Sequence, residues 1–177
     1  LDPSLQALYP VNTWEHARSP AGSRLEFLPW THEVKIRLRY VEIGSNPKCS
    51  LWTSGEPIAE FDPHGSSGDT ELLFTVPRTG VRYTLYFPTI SVIEVVGIWP
   101  AESLEPAPLP SVIWLAYGDS ITHGWHNSDP GLTYPAITSR NLGIDHYNLG
   151  FGGAARGEAS VASSLGSISC DLITLAF

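Results

Sequence analysis

The sequence predicts an α/β protein in two parts: an N-terminal β-sandwich of jelly-roll type, followed by a domain built on a parallel sheet. Short runs of β-branched and aromatic residues separated by turn clusters fill residues 24–99. A proline-rich segment follows, and beyond it strand-like and helix-like runs alternate. With 177 residues and 42% apolar side chains, the chain is long enough to bury a sizeable core.

The first part contains a series of strand-like runs. They are RLEFLPW, EVKIRLRYVEI, CSLWTS, PIAEF, TELLFTV, VRYTLYF and SVIEVVGIW. In the second run Val34, Ile36 and Leu38 alternate with charged residues, which is typical of a strand with one face on a core and the other in water. Strands at this spacing favour a sandwich or jelly roll, and we assign residues 1–105 to this accessory domain.

The segment WPAESLEPAPLPS contains four prolines in thirteen residues and no apolar period. We expect little secondary structure there and a semi-stiff connector. The linker is placed at residues 106–111, and the second domain is predicted to occupy residues 112–177.

The second domain follows a strand–helix–strand–helix–strand order. SVIWLAYGDS is a continuous apolar run, as expected of a strand covered on both faces. A helix is predicted in TYPAITSRNLG, because proline stands near its start and glycine just past its end. IDHYNLG, the weaker helix candidate GEASVASSLGSIS and DLITLAF complete a parallel sheet with right-handed crossovers.

Charge and composition restrict the partners. The net charge is −8 and the ten basic residues are spread singly, so nucleic acid is an unfavoured partner. No run approaches the ~20 apolar residues of a membrane span, and the first ten residues lack signal-peptide character. The chain contains no methionine, so a leader could already be absent and localisation stays open, with a soluble cytoplasmic protein slightly favoured. Cys49 and Cys170 are far apart, which predicts free, mostly buried thiols rather than a disulfide or a metal site.

Ser120 is the first candidate for chemistry. It stands at the carboxyl end of the first parallel strand, the edge of the sheet at which ligands bind in such folds. If a helix starts there, its unpaired amides would stabilise an oxygen that gains negative charge during acyl transfer. Gly118 is expected to permit the sharp turn, and Asp119 is interpreted as a cap for loop amides in preference to a catalytic acid.

A second glycine cluster, NLGFGG, follows the next strand, so its amides can point across the same crevice. Gly153 could be a second oxyanion donor. Each motif alone has an ordinary explanation, since Gly-Asp-Ser turns arise by chance and GFGG without a following lysine is a weak phosphate signal.

Taken together, GDSIT, NLGFGG and the aspartate with apolar strand in DLITLAF resemble the SGNH or GDSL family of serine esterases and acyltransferases. The likeness covers Val112 to Phe177. It implies a flavodoxin-like three-layer α/β/α fold, Ser120 as nucleophile, and the amides of Ser120 and Gly153 as oxyanion donors, with no metal or cofactor. The whole chain also looks like two-domain members that include carbohydrate deacetylases and natural-product acyltransferases, so the expected substrate is an acyl ester of a glycan or small molecule.

The sequence departs from the family pattern at two places. The family's Gly-x-Asn block would follow DLITLAF directly, and its Asp-x-x-His lies near the C-terminus; neither is present. We therefore expect the asparagine donor and the general base from residues beyond Phe177 or from another chain, and 112–177 to be the N-terminal part of the catalytic domain. The histidines to which we assign no catalytic role are His16, His32, His64, His123, His126 and His146.

His123, three residues after Ser120, is expected at the surface or at the substrate rim. His126 and Trp125 could line a pocket mouth, although a solvated loop explains them as well. A competing function is a carbohydrate-binding protein with an inactive second domain, in which Trp14, Trp30, Trp52 and Trp99 offer stacking faces. We favour core positions for these tryptophans and expect the N-terminal domain to shape the substrate crevice.

Overall fold

The computed structural model describes residues 1–63, 65 and 67–177. The strands of the first part are β1 (Arg24–Pro29), β2 (Glu33–Glu42), β3 (Cys49–Thr53), β4 (Glu56–Phe61), β5 (Gly68–Thr75), β6 (Tyr83–Tyr86), β7 (Val92–Trp99) and β8 (Leu104–Pro106). They form a five-stranded sheet in the order β4-β3-β6-β1-β8 and a three-stranded sheet in the order β5-β2-β7. Neighbouring strands pair antiparallel in both sheets.

The two sheets share one apolar core, which confirms the predicted sandwich. Val34, Ile36 and Leu38 of β2 are fully buried, as their alternation predicted. They pack in one cluster with Leu51 of β3 and Leu85 of β6, from the opposite sheet. Each of the strand-like runs found in the sequence forms one of the strands β1 to β7.

The proline-rich segment is more structured than expected. A 3₁₀ turn occupies Ala101–Ser103, and β8 pairs with the open edge of β1, Leu28 lying opposite Glu105. The prediction of little secondary structure was wrong for residues 101–106, because Pro100 precedes the 3₁₀ turn and Pro106 stands at the end of an edge strand, a position that a residue without an amide hydrogen can occupy. The domain boundary at 106–111 stays a prediction.

The second part forms a three-stranded parallel sheet, as predicted. Its elements are β9 (Ile113–Gly118), α2 (Ser120–His123), α3 (Tyr134–Leu142), β10 (Asp145–Gly150), α4 (Ala159–Leu165) and β11 (Leu172–Ala176). The strand order is β10-β9-β11, so the apolar run that predicted a doubly covered strand lies in the centre. The chain therefore has the expected α/β class.

The N-terminal segment packs against this second part. A 3₁₀ helix covers Pro3–Leu8 and α1 covers Val11–Ala17. Tyr9 is buried against Leu115 and Tyr117, and its hydroxyl lies 2.6 Å from the Oγ of Ser164. The sequence did not predict this association, because its partners are more than a hundred residues away.

The sandwich and the parallel-sheet part meet at an interface, here called the seam, formed by Arg24, Glu26 and Asp145 with Trp52, Asp129 and Arg140. The Arg24 guanidinium lies 2.5 Å from both the Glu26 and the Asp145 carboxylate. Asp129 accepts hydrogen bonds from Ser50 (2.5 Å) and from the Trp52 indole (3.3 Å). The Arg140 guanidinium stacks 4.2 Å from the centre of the Trp52 ring.

Both cysteines are free, as predicted, and burial raises the pKa of the Cys49 thiol to about 12. Within the described ranges, no helix combines the length and the apolar character that a membrane crossing requires.

Candidate active site

The three parallel strands end at the same level, and this common edge brings the two glycine motifs together. Gly118 at the end of β9 lies in register with Gly150 of β10 and with Ala176 of β11. The residues that follow, Asp119-Ser120 after β9 and 151–153 after β10, therefore leave the sheet side by side. This is the edge at which a doubly wound sheet binds its ligands.

Ser120 is the first residue of α2 and is partly exposed. Asp119 occupies the N-cap, where its carboxylate accepts a hydrogen bond of 2.9 Å from the amide of Ile121. That geometry is the one the capping interpretation requires. The Ser120 hydroxyl has no hydrogen-bond partner among the described residues, so it is free to meet a ligand.

Two glycines allow the strand ends to approach α2. A Cβ at Gly118 would lie 2.1 Å from the Oγ1 of Thr122, and a Cβ at Gly150 would lie 2.0 Å from the backbone nitrogen of His123. Gly118 does not have a positive φ. Gly118 is predicted to permit a sharp turn, but what requires a glycine there is the close contact with Thr122.

The loop after β10 is fixed at both ends. The Phe151 amide donates to the Gly118 carbonyl at 2.8 Å, and the Gly157 amide donates to the Tyr117 hydroxyl at 2.9 Å. Between them Gly153 is exposed and adopts a φ of +70°, a left-handed conformation that suits glycine. Its amide donates to no atom of the described residues. Gly153 thus offers an unpaired donor on a loop with defined anchors.

His123 differs from expectation. It was predicted at the surface or at the rim of the site, yet it is fully buried. Its Nε2 lies 2.7 Å from the Thr89 carbonyl and 2.9 Å from the Ser19 hydroxyl, and its Nδ1 accepts from the Trp125 indole at 3.2 Å. Burial lowers the pKa of His123 to about 4. The sequence could not reveal this, because Ser19 and Thr89 are distant along the chain.

The other histidines do not contact Ser120 within the described residues. His126 is exposed with a φ of +58°. Trp125 is half-buried against His16, with ring centres 5.4 Å apart, so it is part of the packing under α2. His146 is buried at the seam, where burial lowers its pKa to about 4. His64 lies outside the described residues.

A cavity of about 250 Å³ lies beside Gly153. One wall is formed by Gly153, Arg156 and Glu158, and the other by Pro10 to Thr13 at the start of α1. Arg156 is exposed and has no ion-pair partner among the described residues. Among all the residues that the structure describes, no group of His, Cys, Asp and Glu side chains could hold a metal ion.

Of the tryptophans considered as stacking faces, Trp52 is buried at the seam and Trp14 stacks on Tyr9, as core positions require. Trp30 and Trp99 are 58% and 41% exposed, which departs from the expected core positions. The cations of Lys35 and Arg37 lie 5.3 and 5.6 Å from the centre of the Trp99 ring.

Residues 112–176 match the model of the GDSL-like lipase/acylhydrolase family, which confirms the resemblance seen in the sequence. No curated protein matches the sequence of the chain.

Solved structures share the fold, two of them along nearly the whole chain. A protein from Bacteroides ovatus described as a GDSL-like lipase superimposes with a TM-score of 0.84 at 22% identity, over 99% of this chain and 56% of that one. The salicylyl-acyltransferase SsfX3 from a tetracycline biosynthetic pathway gives 0.79 at 22% identity, over 98% and 52%. A family two carbohydrate esterase from Clostridium thermocellum, in complex with cellohexaose, gives 0.55 at 18%, over 73% and 44%. The chain therefore spans about half the length of the structures it matches.

Proposed function

We propose, on the premise that residues 112–176 belong to the SGNH/GDSL family, that the protein is a serine-dependent ester hydrolase or acyltransferase. The observation that carries the proposal is the placement of an unpartnered Ser120 hydroxyl at the same sheet edge as the unpaired Gly153 amide. A nucleophile beside preorganised donors is the arrangement that acyl transfer needs.

In the first step the Oγ of Ser120 attacks the acyl carbonyl carbon, and the hydroxyl proton passes to a general base. The carbonyl oxygen becomes an oxyanion that the amides of Ser120 and Gly153 stabilise by hydrogen bonds. Collapse of this intermediate expels the alcohol, which takes up the proton, and leaves an acyl-serine. Water or an acceptor alcohol then attacks the acyl-serine, which gives a carboxylic acid or a new ester and restores Ser120.

The base is not His123, because both of its nitrogens have partners and its lowered pKa keeps it a poor proton acceptor. A serine hydroxyl without a base in hydrogen-bond reach is a weak nucleophile. No histidine of the described residues is hydrogen-bonded to the Ser120 hydroxyl, so the proposed reaction needs a general base that these residues do not place there; the family resemblance implies a histidine for that base, together with an asparagine donor.

For the substrate we propose an acylated carbohydrate or an acyl ester of natural-product type. The solved structures with this fold include a carbohydrate esterase and a salicylyl-acyltransferase. The cavity beside Gly153 is partly walled by α1, which supports a role for the N-terminal residues in shaping the crevice. Val11→Trp, which fills part of this cavity, should narrow the range of accepted acyl esters.

A fluorophosphonate probe tests the proposal in the full-length protein. Wild type should be labelled, Ser120→Ala should not, and the control Ser128→Ala, on an exposed serine of a nearby loop, should be labelled like wild type. Turnover of p-nitrophenyl acetate should fall in Ser120→Ala by a factor on the order of 10⁶, and the oxyanion donors and binding should keep the residual rate above that of the uncatalysed reaction. A folded wild type that neither takes the label nor turns over the ester would overturn the proposal.

A second candidate is a carbohydrate-binding protein, which the exposure of Trp30 and Trp99 favours. Binding of a soluble polysaccharide that Trp30→Ala or Trp99→Ala weakens, in a protein without Ser120-dependent turnover, would support it. The same variants should leave an esterase unaffected if these rings serve only the sandwich surface.

A further inference from the structure

The ring of His123 joins four segments that are distant along the chain. It sits on α2, three residues after Ser120, and contacts Ser19 of the N-terminal segment and Thr89 of the connection between β6 and β7. Its Nδ1 also receives the amide of Gly152 at 3.4 Å, from the loop after β10. One side chain thus links the nucleophile's helix, the sandwich and the glycine loop.

The hydrogen-bond partners assign the proton of the ring. Nδ1 accepts from Trp125 and from Gly152, so it carries no hydrogen. Nε2 must then carry the proton, and it donates to the Thr89 carbonyl at 2.7 Å. The Ser19 hydroxyl donates to the carbonyl of His16, which leaves its oxygen to share the Nε2 proton. The ring is a neutral imidazole with one fixed tautomer.

The segment with Thr89 is itself anchored to the turn that follows α2. The Thr89 hydroxyl donates to the Gly124 carbonyl at 3.2 Å and accepts from the Asn127 amide at 3.1 Å. The imidazole therefore stands on a fixed carbonyl of the sandwich connection. From there its other nitrogen accepts from the Phe151–Gly152 peptide, one peptide before the one that carries the Gly153 amide.

We propose that His123 is a positioning residue, which sets the orientation of the Gly153 amide by holding the Gly152 amide from a support on the sandwich. This inference rests on the proposed function, since it gives the Gly153 amide a task in stabilising the oxyanion. It also gives the sandwich a share in the chemistry, through the Thr89 carbonyl and the imidazole, without any contact to substrate.

Two amide variants separate the two nitrogens of the ring. In His123→Asn the side-chain oxygen can take the place of Nδ1 and accept from Gly152, while the donor to Thr89 is lost. In His123→Gln the side-chain amide can reach the Thr89 carbonyl, while the acceptor for Gly152 is lost. Ser19→Ala is the control, because it removes one contact of Nε2 and leaves both Nδ1 contacts in place.

Steady-state kinetics on p-nitrophenyl acetate in the full-length protein, with far-UV circular dichroism to establish the folded fraction, gives the result. We expect His123→Gln to lower kcat by about 10-fold or more with KM unchanged, because an oxyanion contact forms only in the transition state. His123→Asn, which keeps the acceptor for Gly152 and loses the support on Thr89, should fall between His123→Gln and wild type, and Ser19→Ala should match wild type. Equal losses of kcat in both amide variants, or no loss in either, would overturn the inference about His123. The proposed function would still stand in that case, provided that the wild type shows turnover that depends on Ser120.

A measurement on wild type keeps the inference testable if the variants do not fold. Nitrogen-15 NMR of the histidine rings should find His123 protonated on Nε2 and bare on Nδ1, and the Gly152 amide protected from exchange. The opposite tautomer, or a rapidly exchanging Gly152 amide, would overturn it. Absence of any Ser120-dependent turnover would instead remove the proposed function, and the tautomer could still be read.

Discussion

The seam and the candidate active site join distant parts of the chain by different means. At the seam, charged side chains meet: the Arg24 guanidinium lies between two carboxylates, and Arg140 covers Trp52. At the site, backbone amides and a neutral histidine hold the strand ends, and Gly118 and Gly150 allow main chain to touch main chain. Stability at the seam depends on charge balance, whereas the site depends on close approach and fixed direction.

The comparison has a kinetic consequence. A change at the seam should lower the free energy of unfolding and leave kcat of the folded molecules unaltered. A change at the site should lower kcat with a smaller loss of stability.

Arg24→Ala should have the largest effect. It leaves Glu26 with only the more exposed Arg82 as a cation and the partly buried Asp145 with none, and removing one partner of a buried ion pair costs up to about 3–5 kcal/mol. Urea unfolding measures the loss. The control is Arg37→Ala, which removes an exposed ion pair with Glu71 and should change stability little. Equal losses in the free energy of unfolding would mean that the buried ion pairs of the seam stabilise the fold no more than an exposed pair does.

The two buried histidines offer a comparison by pH. Burial lowers the pKa of His123, at the site, and of His146, at the seam, to about 4, from an ordinary value of 6.5. Because the unfolded chain takes up these protons first, stability is full above pH 6.5 and is lost as the pH falls toward 4. The loss should reach about 2 kcal/mol per histidine by pH 5.

His146→Leu removes one of the two titrating rings and should therefore remove about half of that pH dependence. The substitution should break no hydrogen bond, since neither ring nitrogen of His146 has a partner among the described residues. Urea unfolding at pH 7, 6 and 5 checks this, above the range in which the carboxyl groups titrate. Arg24 and Asp145 face His146 and act on its pKa in opposite directions, so the pH series should be repeated in Arg24→Ala. An unchanged slope in His146→Leu would show that its ring is hydrated rather than buried.

The sequence predicted the sandwich strands well because their information is local. In β2, Val34, Ile36 and Leu38 each carry the signal of a two-residue period, and no distant partner is needed to read it. The parallel strands and the place of Ser120 were predictable for the same reason. Ser120 and Gly153 come together because strands of a parallel sheet end at a common edge, which follows from their order alone.

What the sequence missed depends on contacts between distant residues. Tyr9 meets Ser164, Arg24 meets Asp145, and the ring of His123 meets Thr89. No periodicity or spacing in the sequence predicts any of these three contacts. His123 is predicted at the surface or the substrate rim because a base three residues after Ser120 would have difficulty reaching its hydroxyl; the ring is buried instead, with Thr89 and Ser19 as partners of its Nε2.

Gly150→Ala sharpens the comparison at the site. The new Cβ would overlap the backbone of His123, so β10 and α2 must separate, which should cost about 1–3 kcal/mol. The larger consequence is expected in turnover, because Ser120 and Gly153 are carried by the two elements that move apart. Gly166→Ala is the control: its φ is −64° and its nearest neighbours lie at 3.5 Å, so stability should be unchanged or slightly raised. Full activity in folded Gly150→Ala would contradict the argument that close approach sets the site.

Substitution of Asp119 should have the smallest effect on stability. It distinguishes a carboxylate that only caps α2 from one whose charge takes part in the chemistry. If its carboxylate only caps α2 through the Ile121 amide, Asp119→Ala should cost about 1 kcal/mol and Asp119→Asn should cost less, because an asparagine oxygen can still accept that bond. Both variants should keep their reactivity toward a fluorophosphonate once the folded fraction is taken into account. A loss of labelling in folded Asp119→Asn would instead place the charge of this carboxylate in the chemistry. The site would then share with the seam a dependence on charge, and the division between the two regions would fail.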